Sequence, residues 1–271
     1  MNRTIPLLLA LAACGSAAPM TNLEALDALG QTMRSGQGDT ATSGAIQVST
    51  EFTLGDAVDQ AAQDLADFWA SQADCTTVDV TGATITVDYG ELSDGCVWNG
   101  RTYAGITAAT ITSASIGDVQ VDHAWTGFTD GRVTVDGEAT VLWDGSALTQ
   151  DVTTTHTWSD NATGETVDVT GAHTMGTLEG GWFFDGGITL DGDRQWTVDG
   201  DAWDLVFTGV EARWIDPAPQ AGTFTVTSPA GKKLDLVFSR VDDVTIRADL
   251  EGARTPLAFE ITALGQVTEV E

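Results

Sequence analysis

The chain has 271 residues and carries 40 acidic against 11 basic side chains, a net charge of −29. So strong a negative field excludes nucleic acid as a partner, because phosphate contacts need Lys and Arg, and it repels anionic lipid surfaces. Two readings of the acidity stay open: a surface adapted to salt or solubility, and a module that binds divalent cations.

Arg3 precedes an apolar run from Ile5 to Ala13, which is the layout of a secretory signal. The run is far short of the roughly 20 apolar residues that span a bilayer. It ends in Leu11-Ala12-Ala13-Cys14, which resembles the lipobox of bacterial lipoproteins: Leu, two small residues, then the lipid-bearing Cys. The resemblance implies that residues 1–13 are removed, that Cys14 carries a diacylglyceryl group and that the new amino terminus is acylated. An Asp commonly follows that cysteine in Gram-negative lipoproteins retained at the inner membrane. Here the residue is Gly15, so the resemblance implies a cell-envelope protein anchored in the outer membrane. Two or three acyl chains at roughly 0.8 kcal/mol per buried methylene make such an anchor stable. The alternative is an ordinary signal peptide with a chance cysteine. Cleavage would remove Arg3, leaving ten basic side chains and a net charge of −30.

Residues 15–53 are rich in Gly, Ser, Thr and Ala. Leu23, Leu26 and Leu29 suggest a short helix over 22–33, and 35–44 has the composition of a flexible linker. Residues 14–53 are therefore read as a lipidated cysteine plus tether, and 54–271 as one domain. A strong amphipathic helix is expected over 56–73, where Val58, Ala61, Leu65, Phe68 and Trp69 recur at spacings of three and four. Thr53 or Gly55 would open it.

Cys75 lies just past that helix, and Cys96 is the one further cysteine. In an exported protein two such thiols most often pair. The bridge would staple the helix to the start of the sheet and contribute roughly 3 kcal/mol on the chain-entropy model. A metal pair has no nearby His to complete it.

Beyond Cys75 the chain reads as strand. Val133, Val135, Gly137, Ala139, Val141 and Trp143 alternate with polar residues, and so do Leu148, Val152, His156 and Trp158. Asp130-Gly131 and Asp144-Gly145 mark hairpin turns. Asp136-Gly137 keeps the alternation intact and belongs inside a strand, its glycine marking a bend or close contact. Residues 133–145 (VTVDGEATVLWDG) echo residues 188–200 (ITLDGDRQWTVDG) without gaps. Four shorter strands are expected over 223–227, 234–240, 244–250 and 257–261. The fold class is mainly β: a large antiparallel meander sheet or incomplete β-barrel of about a dozen strands, with one N-terminal α-helix packed on it. A transmembrane barrel also alternates, but the polar face here is crowded with Asp.

No G-x-S-x-G, H-E-x-x-H or phosphate-cradling loop appears, and no cofactor is implied. His123, His156 and His173 share parity with apolar neighbours. If the hairpin turns at 161–164 with Trp158 opposite Val167, His156 faces Val169 and His173 faces Val152. That puts the two roughly 13 Å apart along the sheet, too far for one metal ion. Asp191, Asp193, Asp199, Asp201 and Asp204 are candidates for calcium, but the order of an EF-hand loop is missing, since Arg194 and Gln195 follow Asp193. Trp125, Trp143, Trp158 and Trp196 share the apolar parity of their strands. They pack under the helix, or they line an uncovered groove for an acyl chain or other hydrophobic ligand.

The region from Asp88-Tyr89-Gly90 to Cys96, with the later Asp-Gly strands, is similar to bacterial lipoproteins, and that resemblance brings no activity with it. A helix on an antiparallel half-barrel is also similar to the periplasmic lipoprotein-carrier fold. The expected function is a non-enzymatic structural or protein-interaction module tethered to a membrane through Cys14. The alternative is a carrier of lipid or another hydrophobic ligand on a Trp-lined concave face.

Overall fold

The computed structural model describes residues 18–53, 58–72, 74–94, 96–98, 101–115, 118–178 and 186–270. Cys14 and the expected signal segment lie outside the described residues. Two helices come first, α1 (Asn22–Thr53) and α2 (Val58–Gln72). Fifteen strands follow among the described residues. The first eight are β1 (Thr77–Thr81), β2 (Thr84–Asp88), β3 (Cys96–Trp98), β4 (Arg101–Ser115), β5 (Asp118–Thr129), β6 (Val133–Asp144), β7 (Thr149–Asp160) and β8 (Thr166–Thr177). The rest are β9 (Gly187–Val198), β10 (Asp201–Arg213), β11 (Ala221–Thr227), β12 (Lys233–Asp242), β13 (Thr245–Glu251), β14 (Leu257–Thr262) and β15 (Val267–Val270).

The strands form one antiparallel sheet in chain order, open at β1 and β15, with short β3 pairing only the start of β4. The expected meander is therefore present. The hairpin register is also as read: Trp158 pairs with Val167, His156 with Val169 and Val152 with His173. Leu148 differs from expectation. It takes φ 54° in the β6–β7 turn and is exposed, instead of facing inward with Val152.

One face of the sheet is apolar. Val133, Val135, Ala139, Val141 and Trp143 of β6 are buried while Asp136, Glu138, Thr140 and Leu142 are exposed. Both helices cover this face. α2 packs Ala61, Ala62, Leu65 and Trp69 on Ile85, Val87, Ile111, Val121 and Trp125. α1 packs Ala25 and Ala28 in a core with Val135, Trp158, Trp196, Trp203 and Leu205. The Cys75–Cys96 disulfide closes a separation of 21 residues and ties the end of α2 to β3.

The tether is the expectation that the structure corrects. Residues 22–53 form one helix, not a short helix followed by a linker. Thr21 and Glu24 cap it reciprocally: Glu24 N donates to Thr21 Oγ1, and Thr21 N donates to the Glu24 carboxylate. Ahead of the cap, Met20 N donates to Gly252 O and Arg254 N donates to Met20 O, so the chain enters the fold as a bridge on the β13–β14 turn. The small residues that suggested flexibility face the sheet instead. Ser35, Gly38 and Thr42 are buried, and a Cβ on Gly38 would meet His156 Nε2 at 2.6 Å and Trp158 Cδ1 at 2.9 Å.

The sequence echo has a structural counterpart. Gly137 pairs with His156 and Gly192 pairs with His173, each with φ near 150° and no room for a Cβ against the neighbouring backbone. The preceding aspartates do matching work. Asp136 accepts from Gly127 N and Asp191 accepts from Gly209 N, each at 2.7 Å and each capping a bulge in the strand alongside. The two sets lie on opposite sides of the β7–β8 hairpin, in reversed strand order.

Candidate functional site

Sequence reasoning singled out four tryptophans, three histidines and five aspartates. Trp125, Trp143, Trp158 and Trp196 are all buried, none more than 4% exposed. Trp158 and Trp196 lie in the core beneath α1, and Trp125 lies beneath α2. Trp125, Trp158 and Trp196 thus belong to the helix-covered part of the face. A fifth, Trp203, stacks on Trp196 with ring centroids 6.0 Å apart. It was legible in the alternation Trp203, Leu205, Phe207 but was not singled out.

The histidines do not converge. His123 pairs across the sheet with Ala109 and Ala139 and stacks on Trp125. Burial depresses its pKa to about 4, so it is neutral at pH 7. His156 and His173 are also depressed, mainly by burial, with Asp39 opposing and Arg194 adding to the shift.

Around His156 lies the most polar point of the helix–sheet interface. Arg194 of β9 points to the apolar face and forms an ion pair with Asp39 of α1. Asp39 Oδ1 is 3.6 Å from His156 Nε2, and Arg194 Nη1 is 3.5 Å from Ser35 Oγ. The guanidinium also sits 5.8 Å from the centre of the Phe207 ring. A basic residue at an inward position demands a counter-charge, and α1 supplies it. Neither Asp39 nor Arg194 was picked out from sequence. The available signal was an Arg sharing parity with Gly192, Trp196 and Val198.

Two of the five aspartates have clear places in the fold. Asp191 caps its bulge, and Asp199, with φ 52°, sits in the β9–β10 turn. Elsewhere on the outer face Thr140 donates to Asp122, Thr157 to Asp168, Thr174 to Asp151 and Thr225 to Asp235, at 2.6–2.8 Å. These cross-strand pairs stitch neighbouring strands together and account for part of the excess of Asp. Among the described residues no three of His, Cys, Asp and Glu are grouped so that they could hold a metal ion.

A cleft of about 600 Å³ opens between Gln37, Thr40 and Ala41 of α1 and the turns at 130–133 and 160–162. Asp130 forms its floor. Burial would raise its pKa, but hydrogen bonds from the Arg132 side chain and from the Arg132 and Val133 amides outweigh burial and hold it low. Arg101 reaches the same carboxylate at 3.4 Å. The walls thus offer amide, hydroxyl and guanidinium groups around a carboxylate that is already paired, an arrangement suited to recognition more than to proton transfer. No protein-family model matches this chain, and no curated protein matches it either.

Proposed function

We propose that this chain is a bacterial envelope lipoprotein, anchored through lipid on Cys14 in the outer membrane, whose body is a non-enzymatic interaction module. The observation that carries the reading is the occupation of the sheet's apolar face by the chain's own two helices. Partners then meet the outer face, the turns and the open edges, where exposed acidic side chains such as Asp136 and Glu138 lie. The candidate chemical groups add support, since His123 and His156 are packed in the core and Asp191 caps a bulge. Photocrosslinkers placed at exposed Leu142 and Val206 in intact cells test it. Discrete protein adducts are expected. Silence at every outward position, with the chain correctly anchored, would contradict the interaction role.

A second reading, carriage of a lipid or other hydrophobic ligand, draws on a different observation. The indole Nε1 atoms of Trp125, Trp158 and Trp196 and Nε2 of His156 are buried without a hydrogen-bond partner within the protein. Buried indole N–H groups usually find acceptors. The fit of helix to sheet is therefore incomplete where the tryptophans lie, and displacement of α1 would open that face to a ligand. Native mass spectrometry of the purified chain should then show a lipid-sized adduct that disappears in folded Trp158→Asp protein. A clean apo mass would contradict carriage.

A further inference from the structure

Turns β5–β6, β7–β8, β9–β10, β11–β12 and β13–β14 all lie at one end of the sheet, because alternate turns of an antiparallel meander must. The N-terminus enters at this end, where Met20 is clipped between Gly252 and Arg254. α1 then follows the same end. Lys232 Nζ binds Glu24 at 2.6 Å, Arg34 binds Glu165 at 3.0 Å, and Gln37 and Thr40 border the turns at 130–133 and 160–162.

The outward side of α1 is unusual for a helix on an acidic protein. Ala25, Ala28, Ser35, Gly38 and Thr42 are buried, while Leu23, Leu26 and Met33 are 78%, 63% and 74% exposed. At 100° per residue these three fall within one stripe about 80° wide. Basic side chains are also gathered at this end. Ten basic residues follow position 13, and six of them (Arg34, Arg101, Arg132, Lys232, Lys233 and Arg254) lie at this end. Carboxylates outnumber them at the same end: Glu24, Asp130 and Glu165 are paired with these cations, and Asp160, Asp199, Asp201 and Glu251 lie in or beside the same turns. The opposite end has Arg213 and Arg240, the latter bound to Asp216.

We infer that this end of the sheet, together with the Leu23/Leu26/Met33 stripe, is seated on the bilayer that holds the Cys14 lipid. The inference rests on the anchor proposed above. Five residues separate Cys14 from the fixed Met20, and the six steps between them reach at most about 20 Å when fully extended. With 22–53 folded as a helix, no long tether remains to hold the body away from the membrane. The bilayer therefore meets the exposed side chains of Leu23, Leu26 and Met33, at an end where neighbouring carboxylates balance the cations. The acyl chains provide the affinity, and the apolar stripe sets the orientation.

The test uses full-length lipidated chain, purified from the envelope, carrying Leu26→Cys or, as the outer-face control, Leu142→Cys. Each cysteine bears an environment-sensitive fluorophore, and the protein is placed in phosphatidylethanolamine vesicles with a minor phosphatidylglycerol fraction and a lipid-borne quencher. Quenching several-fold stronger at position 26 than at position 142 is expected. Intact mass of the same sample reports the lipid. A mass without diacylglyceryl on Cys14 removes the anchor and this seating with it. A lipid-bearing chain quenched equally at both positions overturns the seating alone.

Discussion

α1 and α2 cover the same face of one sheet by different means. α2 is short and drives Leu65 and Trp69 into a cluster of aliphatic strand residues, and a disulfide holds its end. α1 is twice as long, contains Gly30, Gly36, Gly38 and Gly44, and meets the sheet through Ala25, Ala28, Ser35 and Gly38. Each glycine costs about 1 kcal/mol of helix propensity relative to Ala. Small contact residues also bury little apolar area, so α1 leans on its cap, the Met20 bridge and the Asp39–Arg194 pair. One helix is held by area, the other by a few specific contacts. The comparison teaches that a segment can be fully ordered without the apolar periodicity that normally announces a helix.

The largest expected effect falls on the α2 side. Leu65→Ala leaves a cavity under a side chain that is 1% exposed, and it should cost about 3–4 kcal/mol in urea melts. Removing the disulfide by the double change Cys75→Ser and Cys96→Ser should cost about 3 kcal/mol by the same measurement. Acid should act on this side next. His123 has a depressed pKa, so below the usual 6.5 the unfolded chain binds its proton more readily than the folded one does. Its contribution is complete above pH 6.5 and is lost as pH falls from 6.5 to about 4, by about 3 kcal/mol at most. His123→Gln should flatten the decline of melting temperature across that window, leaving the later loss below pH 4 to paired carboxylates such as Asp130.

On the α1 side the effects should be smaller and local. Gly38→Val forces a side chain against His156 and Trp158 and should cost about 2 kcal/mol. Limited proteolysis should then cut within α1 before it cuts α2. Asp39→Asn leaves Arg194 facing an apolar sheet. Because both groups keep some solvent contact, the loss should be about 1–2 kcal/mol, below that for a fully buried pair.

Much of the sheet was legible because period-2 alternation is a strong signal where one face is buried. Val133 to Trp143 announced β6, and the turn near Asn161 fixed the partners of His156 and His173. Even the in-strand glycine at 137 was readable, since alternation passes through it undisturbed. α2 was legible for the equivalent reason at helical period. α1 was not, because Ser35, Gly38 and Thr42 carry no hydrophobic signal and their role depends on the close approach of His156 and Trp158. Two local cues were available: the Thr21-x-x-Glu24 capping box and the inward parity of Arg194. The fate of the tryptophans was legible only in part. Their shared face follows from parity, but whether that face is covered depends on a helix the composition had disguised as a linker.

Native-state hydrogen exchange across residues 22–72 tests the central claim most directly, since it reports the opening free energy of each helix separately. The account predicts clear protection throughout α1, lost by local opening at lower free energy than α2, whose amides exchange near the global limit. Unprotected amides over 35–44 would restore the tether. Protection equal to that of α2 would contradict the claim that a few specific contacts, not buried area, hold α1 in place.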